Sequence, residues 1–350
     1  MPANAPYNHA FGIMTAMLGR ALKFRVLALA VLAVLCALPV SAQTDPQFSQ
    51  YYEVPTFYNP AAIGRTDFLN IRGGGRLQWV GIDNAPKSFV LSADMPFKFI
   101  GKRFGAGLVM GQESIGLYST LTLDAQLGYK FKKWGGEFTA AVQLGMYDQG
   151  FKGSKVVLPD DDDYHQGTDD AIPTTDIHGT AFDLGAGLWY EHRHWWAGVS
   201  CTHITSPTVT LNSDTGGGGT EAGGQNIYDF KAGRIVYFMA GGNIPLKNTL
   251  FEVMPSLLVK SDFTFTTAEV TARARYRKLV SFGLGYRYND AVTATVAVEL
   301  KNFFIGYSFD YPTSAIAKAS SGSHEIMVGY RMKLDLGDKN PNRHKSVRLM

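Results

Sequence analysis

Apolar and polar residues alternate along most of the chain, and this alternation predicts β-strands that have two different faces. Within residues 119–130, every second residue from Leu121 onward is apolar, and the residues between them are polar or glycine. Residues 137–146 repeat the pattern. Trp134, Gly135 and Gly136 lie between the two runs and favour a tight turn. The two runs therefore predict a β-hairpin.

The C-terminal third of the chain contains a series of such runs. Residues 280–288 and 292–300 alternate on either side of the short polar pair Asn289-Asp290. Lys301-Asn302 then separates the second run from another that begins at Phe303. Over the whole chain, this pattern predicts about fourteen strands of roughly ten residues each.

A soluble β-sandwich also has alternating strands, so other features must distinguish it from a membrane barrel. The faces opposite the apolar ones carry many Gly, Thr, Gln, Glu and Arg residues, which suit a hydrated or plugged lumen. Aromatic residues near strand ends are typical of the girdles at a membrane interface. Those that we assign to girdles are Tyr129, Tyr286, Tyr288 and Tyr307.

The connections between strands are unequal in length. Asn289-Asp290 and Lys301-Asn302 are tight turns, whereas residues 151–178 and 212–225 contain long polar segments. Bacterial barrels have short periplasmic turns and longer outer loops. We therefore predict an all-β fold, a transmembrane antiparallel β-barrel over residues 67–335, with both tight turns in the periplasm and the long loops outside.

The N-terminus resembles a secretory signal peptide. Three basic residues precede an unbroken apolar run over residues 26–38, and Ala42 ends a small-residue site directly before Gln43. The apolar run is shorter than the roughly 20 residues that a membrane-spanning helix needs. We therefore predict a signal peptide over residues 1–42, cleaved between Ala42 and Gln43, rather than a membrane anchor, and a mature protein in the cell outer membrane in contact with its lipid.

Composition agrees with a membrane barrel. Charged residues make up 18% of the 350-residue chain, below the roughly 25% of soluble domains, while 38 Gly, 22 Phe and 17 Tyr are present. The net charge of +3 is small and its basic residues are spread along the chain, so no nucleic-acid partner is expected. Residues 336–350 form a basic C-terminal tail.

Several segments contain residues that occur in metal or phosphate sites. Asp160–Asp163 lack the alternate spacing, central Gly and closing Glu of a calcium loop. His192 and His194, with His203, could offer zinc ligands, but the first two flank Arg193 in an apparent turn. Gly216–Gly219 lack the Lys-Ser/Thr of a phosphate loop. With no ordered catalytic motif, we expect no enzyme activity, no metal and no cofactor.

Residues 43–66 fit neither a strand nor an amphipathic helix, because they are rich in aromatic and amide side chains and are interrupted by proline. One interpretation is a periplasmic linker. The other is a plug-like segment whose aromatic residues fill the lumen. The composition favours the plug, since linkers seldom carry so many large aromatic side chains.

Four short blocks in this region resemble the opening of the PorP/SprF family of type IX secretion membrane proteins. The first two are Asp-Pro-Gln-Phe-Ser-Gln-Tyr and Tyr-Asn-Pro-Ala with a following Gly; the other two are an Arg-x-Gln-Trp-x-Gly strand and an Ala-Pro pair before the second strand. The residues that carry this resemblance are Gln47, Phe48, Ser49, Gln50, Tyr51, Tyr58, Asn59, Pro60, Ala61, Gly64, Arg76, Gln78, Trp79, Gly81 and Pro86.

The resemblance implies an outer-membrane component of the type IX secretion or gliding apparatus that is not an enzyme. Its implied partners are periplasmic ring lipoproteins and secreted cell-surface proteins. On this view Arg76, Gln78 and Trp79 brace the first strand against the plug-like segment. The alternative, which barrel size alone leaves open, is a diffusion channel or a hydrophobic-solute barrel similar to fatty-acid transporters.

Overall fold

The structure, a computed structural model, describes residues 45–156, 175–212 and 227–334. The predicted signal peptide with its cleavage site and the basic tail, residues 1–42 and 336–350, lie outside the described residues. So do Asp160–Asp163 and Gly216–Gly219.

In the part of the chain that the structure describes, fourteen antiparallel strands form one closed barrel. These strands are β1 (Phe68–Leu77), β2 (Lys87–Phe99), β3 (Lys102–Ile115), β4 (Tyr118–Lys133), β5 (Gly136–Lys152), β6 (Asp176–Glu191), β7 (Trp195–Thr202), β10 (Ile235–Gly242), β12 (Phe251–Ser261), β13 (Thr266–Tyr276), β14 (Val280–Arg287), β15 (Ala291–Leu300), β16 (Phe303–Pro312) and β17 (Ser323–Lys333). Three short strands complete the set, namely β8 (Thr208–Asn212), β9 (Ile227–Lys231) and β11 (Ile244–Pro245).

Barrel strands that follow one another along the chain pair with each other, and β1 pairs with β17 to close the wall. The predicted all-β transmembrane barrel of about 14 strands is thereby confirmed. Helical turns are short: Tyr51–Glu53, Pro55–Tyr58, Pro60–Ala62, Gly153–Lys155 and Ala315–Lys318. Among the described residues, none of the helices is long and apolar enough to cross a membrane.

The hairpin of β4 and β5 confirms the period-two prediction residue by residue. Leu123 and Leu127 face outward with 49% and 52% of their surface exposed, whereas Asp124 and Gln126 face the lumen at 6% and 3%. Successive side chains of a strand point to opposite faces, so one wall presents an apolar surface to lipid and a polar surface to the interior. The sequence alternation therefore fixes which side of each strand lies inside.

The two ends of the barrel differ in the length of their connections. At the short-turn end, the turns are residues 100–101, 134–135, 192–194, 243–250, 277–279 and 301–302. At the long-loop end, the connections are residues 78–86, 116–117, 153–175, 203–234, 262–265, 288–290 and 313–322. Both the N-terminal entry to β1 and the end of β17 lie at the short-turn end.

This arrangement corrects one expectation. Asn289-Asp290 and Lys301-Asn302 were both predicted to face the periplasm, but they flank the single strand β15 and so lie at opposite ends of the barrel. The prediction was wrong for Asn289-Asp290, which shares its end with the long loops. Turn length alone misled here, because successive turns of an antiparallel meander alternate between the two ends.

Aromatic rings form a girdle along β2 to β6 at the short-turn end. Ring centroids 4.5 to 5.9 Å apart link neighbouring side chains from β2 to β6. The rings in this series are Phe97, Phe104, Tyr129, Phe131, Phe138 and Tyr190. Such girdles mark the level of a membrane interface. Tyr129 therefore lies in a girdle as predicted.

The hairpin of β8 and β9 packs against the inner side of the wall at the long-loop end. Val209 and Leu211 are buried against Tyr147 of β5 and Ile177 of β6. This small apolar cluster holds the hairpin over part of the barrel mouth.

Candidate functional site

Residues 45–66, which we call the N-terminal segment, run along the barrel interior. Asp45 contacts His203 near the long-loop end. At the other extreme, Gly64 bonds to Asp94 on β2, close to the short-turn end where β1 begins. Between these points Phe48 and Tyr58 are completely buried. The segment is therefore enclosed by the lumen-facing side chains of the strands.

The segment has an aromatic core of its own. Phe48 packs edge-on against Phe57 at 5.6 Å between ring centroids, and Phe57 packs in the same way against Tyr58 at 5.1 Å. The Phe48 amide donates a hydrogen bond to the Tyr58 hydroxyl at 2.8 Å. Tyr58 in turn packs against Tyr237 of β10. Edge-to-face aromatic pairs favour this compact, non-strand conformation.

Ser49 lies at the centre of the polar contacts between the segment and the barrel. Its hydroxyl donates to Asp310 on β16 at 2.7 Å, and accepts bonds from Arg76 on β1 at 2.6 Å and Arg287 on β14 at 2.9 Å. A hydroxyl offers one donor and two acceptor positions. All the hydrogen-bonding capacity of the Ser49 hydroxyl is therefore used.

The backbone beside Ser49 is bound as well. Glu325 on β17 accepts the amide of Ser49 at 2.7 Å and the amide of Gln50 at 2.9 Å. The Gln47 side chain donates to Glu269 on β13 at 3.0 Å. We call Ser49 with its charged partners the Ser49 network; its members are Ser49, Arg76, Glu269, Arg287, Asp310 and Glu325.

Charged members of the Ser49 network pair directly with one another. Arg76 lies 2.7 Å from Asp310, and Arg287 lies 2.9 Å from Glu269, with these side chains at most 3% exposed. Breaking a buried pair by removing one partner is strongly destabilising, because it leaves an uncompensated charge. The network therefore joins the segment to five barrel strands through buried ion pairs and hydrogen bonds.

Asp45 provides a second anchor, near the long-loop end. Its carboxylate bonds to His203 at 3.0 Å and to the Tyr237 hydroxyl at 2.6 Å, and its carbonyl accepts from Lys260. The other ring nitrogen of His203 lies 2.8 Å from Asp183.

The charges around this anchor shift two pKa values. Burial alone would lower the pKa of His203, but the negative charge of Asp45 and the hydrogen bonds to Asp183 and Asp45 raise it to about 10. Burial opposes ionisation of Asp45, yet His203 and Lys260 hold the pKa of its carboxyl well below its usual range. At neutral pH the contact is therefore an ion pair.

Asn59 and Gly64 shape the second half of the segment. The Asn59 side chain accepts the Ala61 amide at 2.8 Å and so caps the turn Pro60–Ala62. Its amide group donates to the Leu188 carbonyl on β6 at 3.2 Å. Gly64 has a φ of +57°, and an added Cβ would lie 3.1 Å from the backbone of Pro96. Glycine is required there both for the backbone conformation and for the space.

The family model of the type IX secretion system membrane protein PorP/SprF matches residues 40–330. The chain belongs to the PorP/SprF family. With its closed barrel and lipid-facing apolar surface, this PorP/SprF protein is an outer-membrane protein of the type IX secretion system. The resemblance predicted from the four motif blocks is confirmed.

Solved structures similar to the PorP/SprF barrel are outer-membrane proteins. The toluene transporter TodX of Pseudomonas putida is 14% identical, over 85% of this chain and 97% of its own, with a TM-score of 0.44. A FadL homologue of Pseudomonas aeruginosa is 8% identical, over 80% and 94%, with a TM-score of 0.47. Outer membrane phospholipase A from Escherichia coli is 14% identical, over 78% and 99%, with a TM-score of 0.30. No curated protein sequence matched the chain.

Motif residues of the N-terminal segment converge on the lumen. The motif residues that lie inside the barrel are Gln47, Phe48, Ser49, Gln50, Tyr51, Tyr58, Asn59, Pro60, Ala61 and Gly64. Arg76 joins them through the Ser49 network. The PorP/SprF motif therefore maps largely to contacts between the segment and the wall.

The rest of the motif lies elsewhere. β1 ends at Leu77, so the predicted Arg-x-Gln-Trp-x-Gly strand is wrong beyond that residue; Trp79 has a φ of 51°, in the left-handed region, so its backbone is not extended. The backbone amide of Gln78 instead donates to the Pro86 carbonyl at 3.0 Å across the loop, and β2 begins directly after Pro86. Gly81 adopts a φ of 102° in the same loop.

Sequence reasoning missed the barrel partners of the segment. Glu269, Arg287, Asp310 and Glu325 were visible only as charged residues on polar strand faces, more than 200 positions from Ser49. The histidines considered together do not converge, because His192 and His194 precede β7 and His203 follows it. They therefore lie at opposite ends of the barrel.

Proposed function

We propose that the protein is a sealed docking barrel of the type IX secretion or gliding apparatus. In this role it binds periplasmic ring lipoproteins and secreted cell-surface proteins and catalyses no reaction. The observation that carries the proposal is the Ser49 network, which ties the N-terminal segment to five strands inside the lumen.

A segment held in this way disfavours a diffusion channel. Solute conduction needs a continuous open lumen, and releasing the segment would break several buried charge-assisted bonds together. Tyr51 adds a further contact, since its hydroxyl donates to Ser256 on β12 at 3.0 Å. With the lumen filled, the turns and loops at the two ends remain as surfaces for protein partners.

We assign those surfaces from the orientation that is usual for bacterial barrels. Bacterial barrels place short turns in the periplasm and long loops outside. On this basis the short-turn end meets periplasmic lipoproteins, and the long-loop end meets secreted surface proteins.

The Asp45 anchor does not favour acid–base catalysis by His203. His203 lies between two carboxylates, and each ring nitrogen is within 3.0 Å of one of them. With a pKa of about 10, the imidazole holds its proton at neutral pH and cannot serve as a general base there.

Planar-bilayer recordings test the sealing part of the proposal. The wild-type protein is compared with a variant that lacks residues 45–66, which serves as the open control. We expect no steady current from the wild type and measurable current from the deletion. A steady open-channel current from the wild type alone, with no partner able to abolish it, would contradict the proposal and support a channel.

A gene deletion in the native host tests the docking part. We expect secretion of surface proteins to stop while uptake of small solutes is unchanged, and periplasmic lipoproteins to co-purify with the tagged, complementing protein. Normal secretion together with impaired solute uptake would instead support the hydrophobic-solute or diffusion barrel.

A further inference from the structure

The lumen opens at the short-turn end into a cavity of about 300 Å³ beneath the N-terminal segment. Five guanidinium groups line it, and we call it the arginine vestibule. They belong to Arg65, Arg72, Arg273, Arg275 and Arg331. Guanidinium groups present planar pairs of N–H donors that match the two oxygens of a carboxylate.

Acceptors for these donors are scarce on the segment side of the vestibule. Glu53 is shared, lying 3.6 Å from Arg72 and 3.1 Å from Arg273. Within the described residues, the Arg72 Nη1 and Arg273 Nε atoms are buried and have no acceptor. A buried donor without a partner is unfavourable, because its loss of hydration is not compensated, and it calls for a water or ligand that supplies the acceptor.

On the opposite side of the vestibule, a glutamate is likewise shared between two arginines. Glu299 lies 2.8 Å from Arg331 and 3.5 Å from Arg275, which also contacts Glu252. Glu252 and Glu299 thus supply two carboxylates to these two arginines, each of which carries five N–H donors. Five carboxylates, those of Glu53, Asp94, Glu191, Glu252 and Glu299, lie beside the five guanidinium groups and balance their charge. Two buried N–H donors, on Arg72 and Arg273, still have no acceptor in the described residues.

The turns around the vestibule supply additional positive charge. Ten exposed Lys and Arg side chains, which we call the basic rim, lie on or next to the turns at this end of the barrel: Lys98, Lys102, Lys132, Lys133, Arg193, Lys247, Arg277, Lys278, Lys301 and Lys333. Among the described residues at this end of the barrel, the one exposed acidic residue is Asp67, which directly precedes β1. A cleft with a rim of one sign concentrates ligands of the opposite sign.

The location of the vestibule favours a polypeptide over a lipid. It lies inside the strand wall, whereas lipid headgroups contact the outside of the wall, so a bound headgroup would have to leave the bilayer. The chain's own tail is a poor occupant: residues 336–350 carry four Lys or Arg and one Asp. A water-soluble ligand that bears several carboxylates fits both the guanidinium N–H donors and the positive potential of the basic rim.

We propose that the arginine vestibule binds the carboxylate side chains of an acidic segment in a periplasmic protein. The inference rests on the docking function proposed above and specifies the chemistry of the periplasmic partner. Carboxylates enter between the paired guanidinium groups and occupy the unfilled donors, while the basic rim attracts the acidic segment from solution.

Peptide binding to the full-length mature protein in phosphatidylcholine nanodiscs tests the proposal. The probe is fluorescein-labelled octaglutamate, followed by anisotropy, with octalysine as the peptide of opposite charge. The test variant is the pair Arg275→Gln and Arg331→Gln, whose ion pairs are with glutamates of the barrel wall and not with the N-terminal segment. The matched control is the pair Lys87→Gln and Lys318→Gln, which removes the same charge from exposed positions of the long-loop end.

We expect octaglutamate to bind the wild type, to bind the Arg275/Arg331 variant at least tenfold more weakly, and to bind the Lys87/Lys318 variant within twofold of wild type. Heat-modifiable mobility on gels first establishes that each barrel is folded. Equal affinities for all three proteins, or equal binding of octalysine, would overturn the proposal.

Two further arms distinguish peptide binding from lipid binding and from a failure of docking. Nanodiscs with phosphatidylglycerol should leave octaglutamate binding unchanged; if this lipid displaces the peptide from the wild type but not from the vestibule variant, headgroups occupy the vestibule and the proposal fails. The host deletion keeps the two proposals distinguishable. Blocked secretion without octaglutamate binding refutes the acidic-segment inference alone, whereas normal secretion refutes docking whatever the peptide does.

Discussion

Replacing Ser49 with alanine tests the Ser49 network most directly. The substitution removes one hydroxyl and with it the bond to Asp310 at 2.7 Å and the bonds from Arg76 and Arg287 at 2.6 and 2.9 Å. Hydrogen bonds to charged groups contribute about 1.5 to 3 kcal/mol each. The ion pairs Arg76–Asp310 and Arg287–Glu269 remain, so the three losses do not add fully.

We therefore expect Ser49→Ala to weaken the seating of the N-terminal segment by about 2 to 4 kcal/mol. The measurement is amide hydrogen exchange of the segment in nanodiscs, detected by mass spectrometry of peptides that span residues 45–58. Since 1.4 kcal/mol is a factor of ten, exchange through local opening should accelerate by about 30- to 700-fold.

Ser308→Ala is the matched control. Ser308 is a fully buried, lumen-facing serine on β16, but its hydroxyl has no hydrogen-bond partner in the described residues. Its loss should leave exchange of the segment nearly unchanged. If the Ser49 and Ser308 variants exchange at the same rate, the Ser49 network does not hold the segment in the lumen.

Three other changes test separate parts of the structure. Gly64→Ala should destabilise the folded barrel by more than about 2 kcal/mol in urea titrations, because strain at positive φ adds to the backbone contact with Pro96. Gly101→Ala, at a φ of 69° with open space around the added Cβ, measures the strain alone. Equal costs for the two substitutions would refute the packing argument. Folding raises the pKa of His203 to about 10, so the free energy of unfolding should fall by at most about 1.4 kcal/mol per pH unit as pH rises from about 6.5 towards 10. His203→Gln should remove this slope, and an unchanged slope would contradict the ion pair. Leu123→Lys, on the lipid face near the middle of β4, should cost about 2 to 4 kcal/mol, and Leu246→Lys in a short turn should cost little; equal losses would contradict a bilayer that contacts β4 at Leu123.

The strands could be predicted from the sequence because one physical requirement acts on every second residue. Lipid outside and polar groups inside select opposite side chains, so the pattern over residues 119–130 already shows which side chains of β4 face the membrane. The hairpin of β8 and β9 was not predicted as a separate unit. Each of its strands has only five residues, and its packing against Tyr147 depends on contacts that no local period encodes.

The candidate site was predictable only in part. The N-terminal segment stands out because its aromatic, proline-broken composition suits neither strand nor helix. Its partners do not stand out, since Asp310 and Glu325 resemble any other polar residues on a lumen face. Their meeting with Ser49 depends on how fourteen strands close into a ring, and that register is a property of the whole barrel.

The position of the Ser49 network also bears on how the protein is assembled. Arg76 on the first strand stands directly opposite Glu325 on the last, and Ser49 bonds to both sides of this junction. The Ser49 network is therefore complete only when β17 has joined the wall, because Glu325 of that strand binds the amides of Ser49 and Gln50. A barrel without β17 would lose the closure of its wall and the Glu325 bonds to the N-terminal segment together, whereas the Asp45 anchor would keep its partners.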